Sequence, residues 1–119
     1  MTVRRAARYR CDLVAPLTLP ELGLLEVRVI ELSESGAFVE TTAGLQHGDV
    51  GRLSLPFPGG EPWEVQVRVT SLGKGLREVH QPRIDNLTVR REGVGLEFEA
   101  VTDEARERLL GFLDLLEER

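Results

Sequence analysis

Two short clusters carry the groups in this sequence best suited to gripping another molecule. The first is Arg4-Arg5-Ala6-Ala7-Arg8, with Arg10 two residues further on. A guanidinium offers a planar fork of donors that holds phosphate oxygens, or the O6/N7 edge of guanine, two bonds at a time. Its flat face also stacks on a purine. The second is Glu31-Leu32-Ser33-Glu34-Ser35-Gly36, set between two apolar runs. Here a carboxylate and a hydroxyl project near a strand end, where a ligand could meet them. Each cluster alone also has a plain structural reading. For the first it is a solvated tail. For the second it is a turn in which Gly36 supplies a positive φ and Ser33 bonds the local backbone.

Catalytic chemistry finds no such support, and no catalytic residue is assigned. His47 and His80 are far apart and neither has a metal-ligand spacing. Ser33 and Ser35 have no triad pattern around them. Gly93-Val94-Gly95 is followed by an apolar alternation rather than a helix, so it is not a phosphate loop. The single cysteine, Cys11, excludes an internal disulfide framework and a cysteine-based zinc site. The expectation is a non-enzyme without metal or cofactor.

Charge narrows the partner. The 119 residues carry 15 Lys+Arg against 20 Asp+Glu, a net charge of −5. Residues 1–11 hold four arginines and no acid, whereas residues 103–119 hold six acids against three arginines. An acidic body argues against duplex DNA, which needs an extended basic face. A small basic arm on that body suits a compact anion better. Aromatic residues for base stacking are few, and only Tyr9, between Arg8 and Arg10, lies on the arm. No apolar run approaches the roughly 20 residues that span a bilayer. No apolar segment follows the N-terminal charges either, so the cytoplasm is the expected location.

The elements that must position the two clusters are mostly strands. Leu24–Ile30 (from Leu25 to Val29), Val50–Phe57 and Glu64–Thr70 alternate apolar and polar residues at the period of a half-buried strand. Pro58-Gly59-Gly60-Glu61-Pro62 is a turn by composition and predicts a hairpin between the second and third of these. Asp12–Leu19, Ala37–Thr41 and Val94–Phe98 complete six strands, an antiparallel barrel or sandwich. The period then changes. Ala105, Leu109, Phe112, Leu113 and Leu116 form one stripe of a helix over 103–117, with Thr102 as N-cap and Asp103 and Glu104 complementing its dipole. That helix must bury its stripe against the sheet or a partner. Residues 73–93 form a long, net basic excursion that could include a short strand at Leu87–Val89.

In this order and spacing the two clusters resemble the PilZ domain, a bacterial receptor module for cyclic di-GMP. That family carries R-x-x-x-R before the first strand and [D/N]-x-S-x-x-G after the second. Arg4 to Arg8 match the first motif, and Ser33 with Gly36 match the second. Gly36-Ala37-Phe38-Val39-Glu40-Thr41, Gly48-Asp49 and Gly93-Val94-Gly95-Leu96-Glu97-Phe98 also look like the family's continuation. The resemblance implies a six-stranded antiparallel β-barrel closed by a C-terminal helix, with a flexible arm at 1–11 and one domain at 12–119. It implies cyclic di-GMP as ligand, held by Arg4, Arg5, Arg8, Glu31, Ser33 and Gly36. The arm would become ordered over the ligand, and the new surface would signal to an effector protein. No membrane or nucleic-acid partner is expected. Glu31 departs from the pattern, standing where the family has Asp or Asn. The alternative reading is therefore a degenerate domain that does not bind the nucleotide and serves as a protein–protein adaptor.

Overall fold

A computed structural model of the chain describes residues 8–41, 43–72, 77–80, 88–91 and 93–117. Its elements in chain order are β1 (Tyr9–Leu19), β2 (Gly23–Leu32), β3 (Gly36–Glu40), β4 (Val50–Leu55), β5 (Trp63–Leu72), β6 (Arg77–His80), β7 (Thr88–Arg91), β8 (Gly93–Glu99) and α1 (Asp103–Glu117). Six strands close an antiparallel barrel in the order β1-β2-β3-β8-β5-β4, and β6 and β7 pair as a separate two-stranded sheet. The all-β barrel with one C-terminal helix is thus the observed fold. β1 begins at Tyr9 rather than Asp12, so Tyr9 and Arg10, expected in the arm, already pair with β2, and Cys11 lies in the bulge that follows. The 73–93 excursion holds β6 and β7.

Alternation translates directly into an inside and an outside. On β5, Val65, Val67 and Val69 are buried while Glu64, Gln66, Arg68 and Thr70 are exposed. The interior is filled by β-branched and leucine side chains, among them Leu17, Val29, Leu32, Val39, Leu53 and Leu55, all fully buried. Removing each such side chain from water is worth about 1.5–3 kcal/mol. Helix α1 turns Leu109, Leu113 and Leu116 onto this core. Thr102 caps it, its hydroxyl accepting the Ala105 amide at 3.1 Å. The Trp63 indole N–H donates to the Ala105 carbonyl at 2.8 Å. Phe57 stacks on both Trp63 and Phe112, with centroids 5.3 and 4.4 Å apart. These aromatics are structural, as their alternating and stripe positions imply.

Three irregularities in the ladder matter for function. The pairing slips between Arg10 and Leu13 on β1, between Val29 and Glu31 on β2, and between Val69 and Ser71 on β5. In each a strand carries one extra residue against its neighbour, the definition of a β-bulge, which bends the strand and re-aims the side chains beside it.

Candidate functional site

The bulges on β2 and β5 border a cleft of about 800 Å³, on the wall made by β2, β3, β8 and β5. Its lining includes Arg8, Glu31, Ser33, Ser35 and Gly36, together with Phe38, Thr70, Ser71, Gly95 and Glu97. Arg8 of the first cluster and Glu31, Ser33, Ser35 and Gly36 of the second therefore reach one place. Arg8 immediately precedes β1, which pairs Tyr9 with Leu32 and Arg10 with Glu31, so the ladder carries the arginine alongside the end of β2. Arg4 and Arg5 lie outside the described residues. Tyr9, considered for stacking on a base, is half-buried and packs against the core instead. Cys11 is likewise half-buried, its Sγ 3.5 Å from the Val29 carbonyl.

The Arg8 Nη1 stands 4.0 Å from Glu31 Oε1, the arginine side chain 75% exposed and the glutamate only 16%. An ion pair so open to water on one side is weak, so the guanidinium can be exchanged to another anion. The bulge on β2 sets Glu31 opposite Phe38 on β3.

Ser33 builds the turn between β2 and β3. Its hydroxyl accepts the amides of Ser35 and Gly36, each at 3.2 Å, and donates to the Gly36 carbonyl at 3.3 Å. The Ser33 amide donates to that same carbonyl at 2.9 Å. The turn is anchored twice from outside. The Phe98 amide donates to the Ser35 carbonyl at 2.9 Å, and the Arg106 guanidinium on α1 pairs with the Glu34 carboxylate. Ser35 itself is exposed.

Gly36 is required for a reason other than the one sequence suggested. Its φ is not positive; in register it faces Glu97 on β8, and a Cβ there would land on the Leu96 carbonyl oxygen. The glycine permits close approach of β3 to β8 beneath the turn. It also leaves the cleft floor at that point without a side chain.

Sequence reasoning missed the far wall: Phe38, Thr70, Ser71, Gly95 and Glu97. A signal for part of it exists. After Val65, Val67 and Val69 the next apolar residue is Leu72, a step of three that breaks the period of two and marks a bulge. The extra residue turns Thr70 and Ser71 toward the outer face, where the Thr70 hydroxyl donates to the Gly95 carbonyl at 3.3 Å.

This geometry can be set beside known proteins. The sequence matches the PilZ domain family over residues 2–115. The chain belongs to the PilZ family. In fold it is similar to the PilZ domain of Escherichia coli YcgR with c-di-GMP, at 19% identity and TM-score 0.81, covering 98% of this chain and 93% of that one. It is also similar to the MrkH–c-di-GMP complex of K. pneumonia, at 16% identity and TM-score 0.69 over 99% of this chain. A third is the motility inhibitor MotI/DgrA of Bacillus subtilis, at 17% identity and TM-score 0.67 over the full chain. The chain spans about half the length of those last two, 54% and 51%. Identities this low establish the shared barrel. No curated protein matched by sequence. PilZ domains are nucleotide-binding receptors or adaptors and are not known as enzymes. Among the described residues no group of three or more His, Cys, Asp or Glu could hold a metal ion, and no helix is long and apolar enough to cross a membrane.

Proposed function

We propose that this PilZ domain is a cyclic di-GMP receptor whose ligand sits in the β2–β3–β8–β5 cleft. The observation that supports the reading is that Arg8 and the Ser33–Gly36 turn, distant in sequence, line the same 800 Å³ cleft. That volume lies within the range of small-molecule sites. Arg8 exchanges its weak contact with Glu31 for a phosphate or guanine edge, a charge-assisted and geometrically better match. Arg4 precedes it by four residues, at most about 14 Å of extended chain, so Arg4 and Arg5 can reach the same ligand. Ser33 holds the turn and Gly36 the floor, and the exposed Ser35 hydroxyl is a donor at the rim. Ordering of residues 1–8 over the ligand changes the surface offered to an effector protein, a disorder-to-order switch. The protein acts in the cytoplasm, where such an effector would meet it.

Titration calorimetry tests this directly. The folded protein is expected to bind cyclic di-GMP at micromolar concentration or tighter. Arg8→Ala is expected to weaken binding by more than about 1.5 kcal/mol while leaving the melting temperature unchanged. No heat from folded wild-type protein would overturn the proposal.

A second reading draws on Glu31. An internal carboxylate beside Arg8 gives the arginine an anion of its own, and a domain so satisfied can serve as a nucleotide-free adaptor. Capture of a partner that survives both Arg8→Ala and removal of nucleotide would favour it.

A further inference from the structure

The nucleotide cleft holds two carboxylates, Glu31 and Glu97, which is odd for a site that would take a dianion. Like charges in one cleft repel, so each carboxylate needs a donor. Glu31 has Arg8 at 4.0 Å. Glu97 is different. Its register partner on β5 is Arg68, but that guanidinium gives its hydrogen bonds elsewhere, Nε to Glu99 Oε2 at 2.6 Å and Nη1 to the Gly48 carbonyl at 3.4 Å, and acts on Glu97 only as a weaker through-space charge. Its register partner on β3 is Gly36, which has no side chain. Among the described residues no hydrogen bond or ion pair engages the Glu97 carboxylate, and the residue is exposed on the cleft wall.

We propose that Glu97 is a specificity-determining residue that accepts the Watson–Crick edge of a bound guanine. The inference rests on the nucleotide reading above. Guanine presents two adjacent donors on that edge, N1–H and the N2 amino group, which match the two oxygens of one carboxylate. Adenine presents one donor beside the bare N1 acceptor, which would face a carboxylate oxygen and be repelled. Gly36 and Gly95 line the same cleft as Glu97. A flat base edge-on to the carboxylate would lie against the Leu96 carbonyl and the Ser71 hydroxyl, which fill the space beside the two glycines. A site that pairs both donors rejects an analogue lacking one, because its own acceptor is then desolvated without a partner.

The test compares three probes on the full chain: cyclic di-GMP, its di-inosine analogue lacking only the N2 amino groups, and cyclic di-AMP. Wild-type protein is expected to prefer cyclic di-GMP over the di-inosine compound by about ten-fold or more, the scale of a hydrogen bond to a charged group, and over cyclic di-AMP by more. Glu97→Gln keeps the shape, and its amide fits the N1–H/O6 face that guanine and hypoxanthine share. The guanine-to-inosine ratio should therefore fall to within about two-fold, and Glu97→Ala should do the same by removing the acceptor. Binding that retains the wild-type ratio in both variants overturns the role of Glu97 and leaves the receptor reading standing. Folded wild-type protein that binds none of the three overturns both.

Discussion

Arg8 Nη1 and Glu31 Oε1 face each other at 4.0 Å across the mouth of the cleft, a contact made by the pairing of β1 with β2. The departure from the family's Asp or Asn has a concrete consequence here. Glutamate reaches one methylene further, far enough to approach the arginine and compete with a phosphate for it.

Shortening that reach frees the arginine. Glu31→Asp draws the carboxylate back, and titration with cyclic di-GMP should show several-fold tighter binding than wild type. An unchanged or poorer affinity would mean that Glu31 is already well placed for the ligand.

Gly36→Ala places a methyl group on the Leu96 carbonyl of the neighbouring strand. Either the β3–β8 ladder separates or the turn above it shifts, and overpacking of this kind costs about 1–3 kcal/mol. Chemical denaturation should report a loss in that range. Gly44→Ala, at a position with open space around it, should stay within about 0.5 kcal/mol of wild type.

The Arg106–Glu34 pair joins helix α1 to the turn that carries Ser33. Side-chain exposures of 55% and 35% keep it in the range of surface ion pairs, about 0.2–1 kcal/mol. A double-mutant cycle with Arg106→Gln and Glu34→Gln should return a coupling of that size. Hydrogen exchange should be faster in either single variant at the Phe98 amide, which donates to Ser35 within the tethered turn.

On β8 and β5, hydrogen bonds from Arg68 and then Gln66 hold the Glu99 carboxyl below its ordinary value of 4.5, against a smaller opposing effect of desolvation. A carboxylate whose folded pKa is depressed contributes stability above the unfolded value and loses it as the folded group takes up its proton. Glu99→Gln should therefore melt below wild type at pH 7. The gap should narrow as the pH falls below 4.5, and a gap independent of pH would show that the charge is not what matters.

Much of the architecture was legible along the chain. The faultless alternation of Glu64–Thr70 and the stripe of Leu109, Leu113 and Leu116 are local periodicities, and local periodicity needs only neighbouring residues to be read. The Thr102 cap and the turn chemistry of Ser33 are likewise matters of a few adjacent residues. The site's far wall was not legible in the same way. Thr70, Ser71 and Glu97 enter the cleft only because β5 pairs with β8 in one register, with a bulge between Val69 and Ser71. Gly36 shows the same limit from another side. Its residue type was noticed, but its cause is the Leu96 carbonyl 60 positions further on in the chain.

By itself, then, the amino-acid sequence determined the strand and helix faces and the two polar motifs, since residue type and short-range spacing set both. Only the closed barrel decided that Arg8 meets Glu31 beside the Ser33 turn, that Gly36 must lack a side chain, and that Glu97 opens onto the same cleft. Those relationships depend on which strands pair and in what register, and long-range pairing is settled by burial of the whole core rather than by any stretch of neighbours.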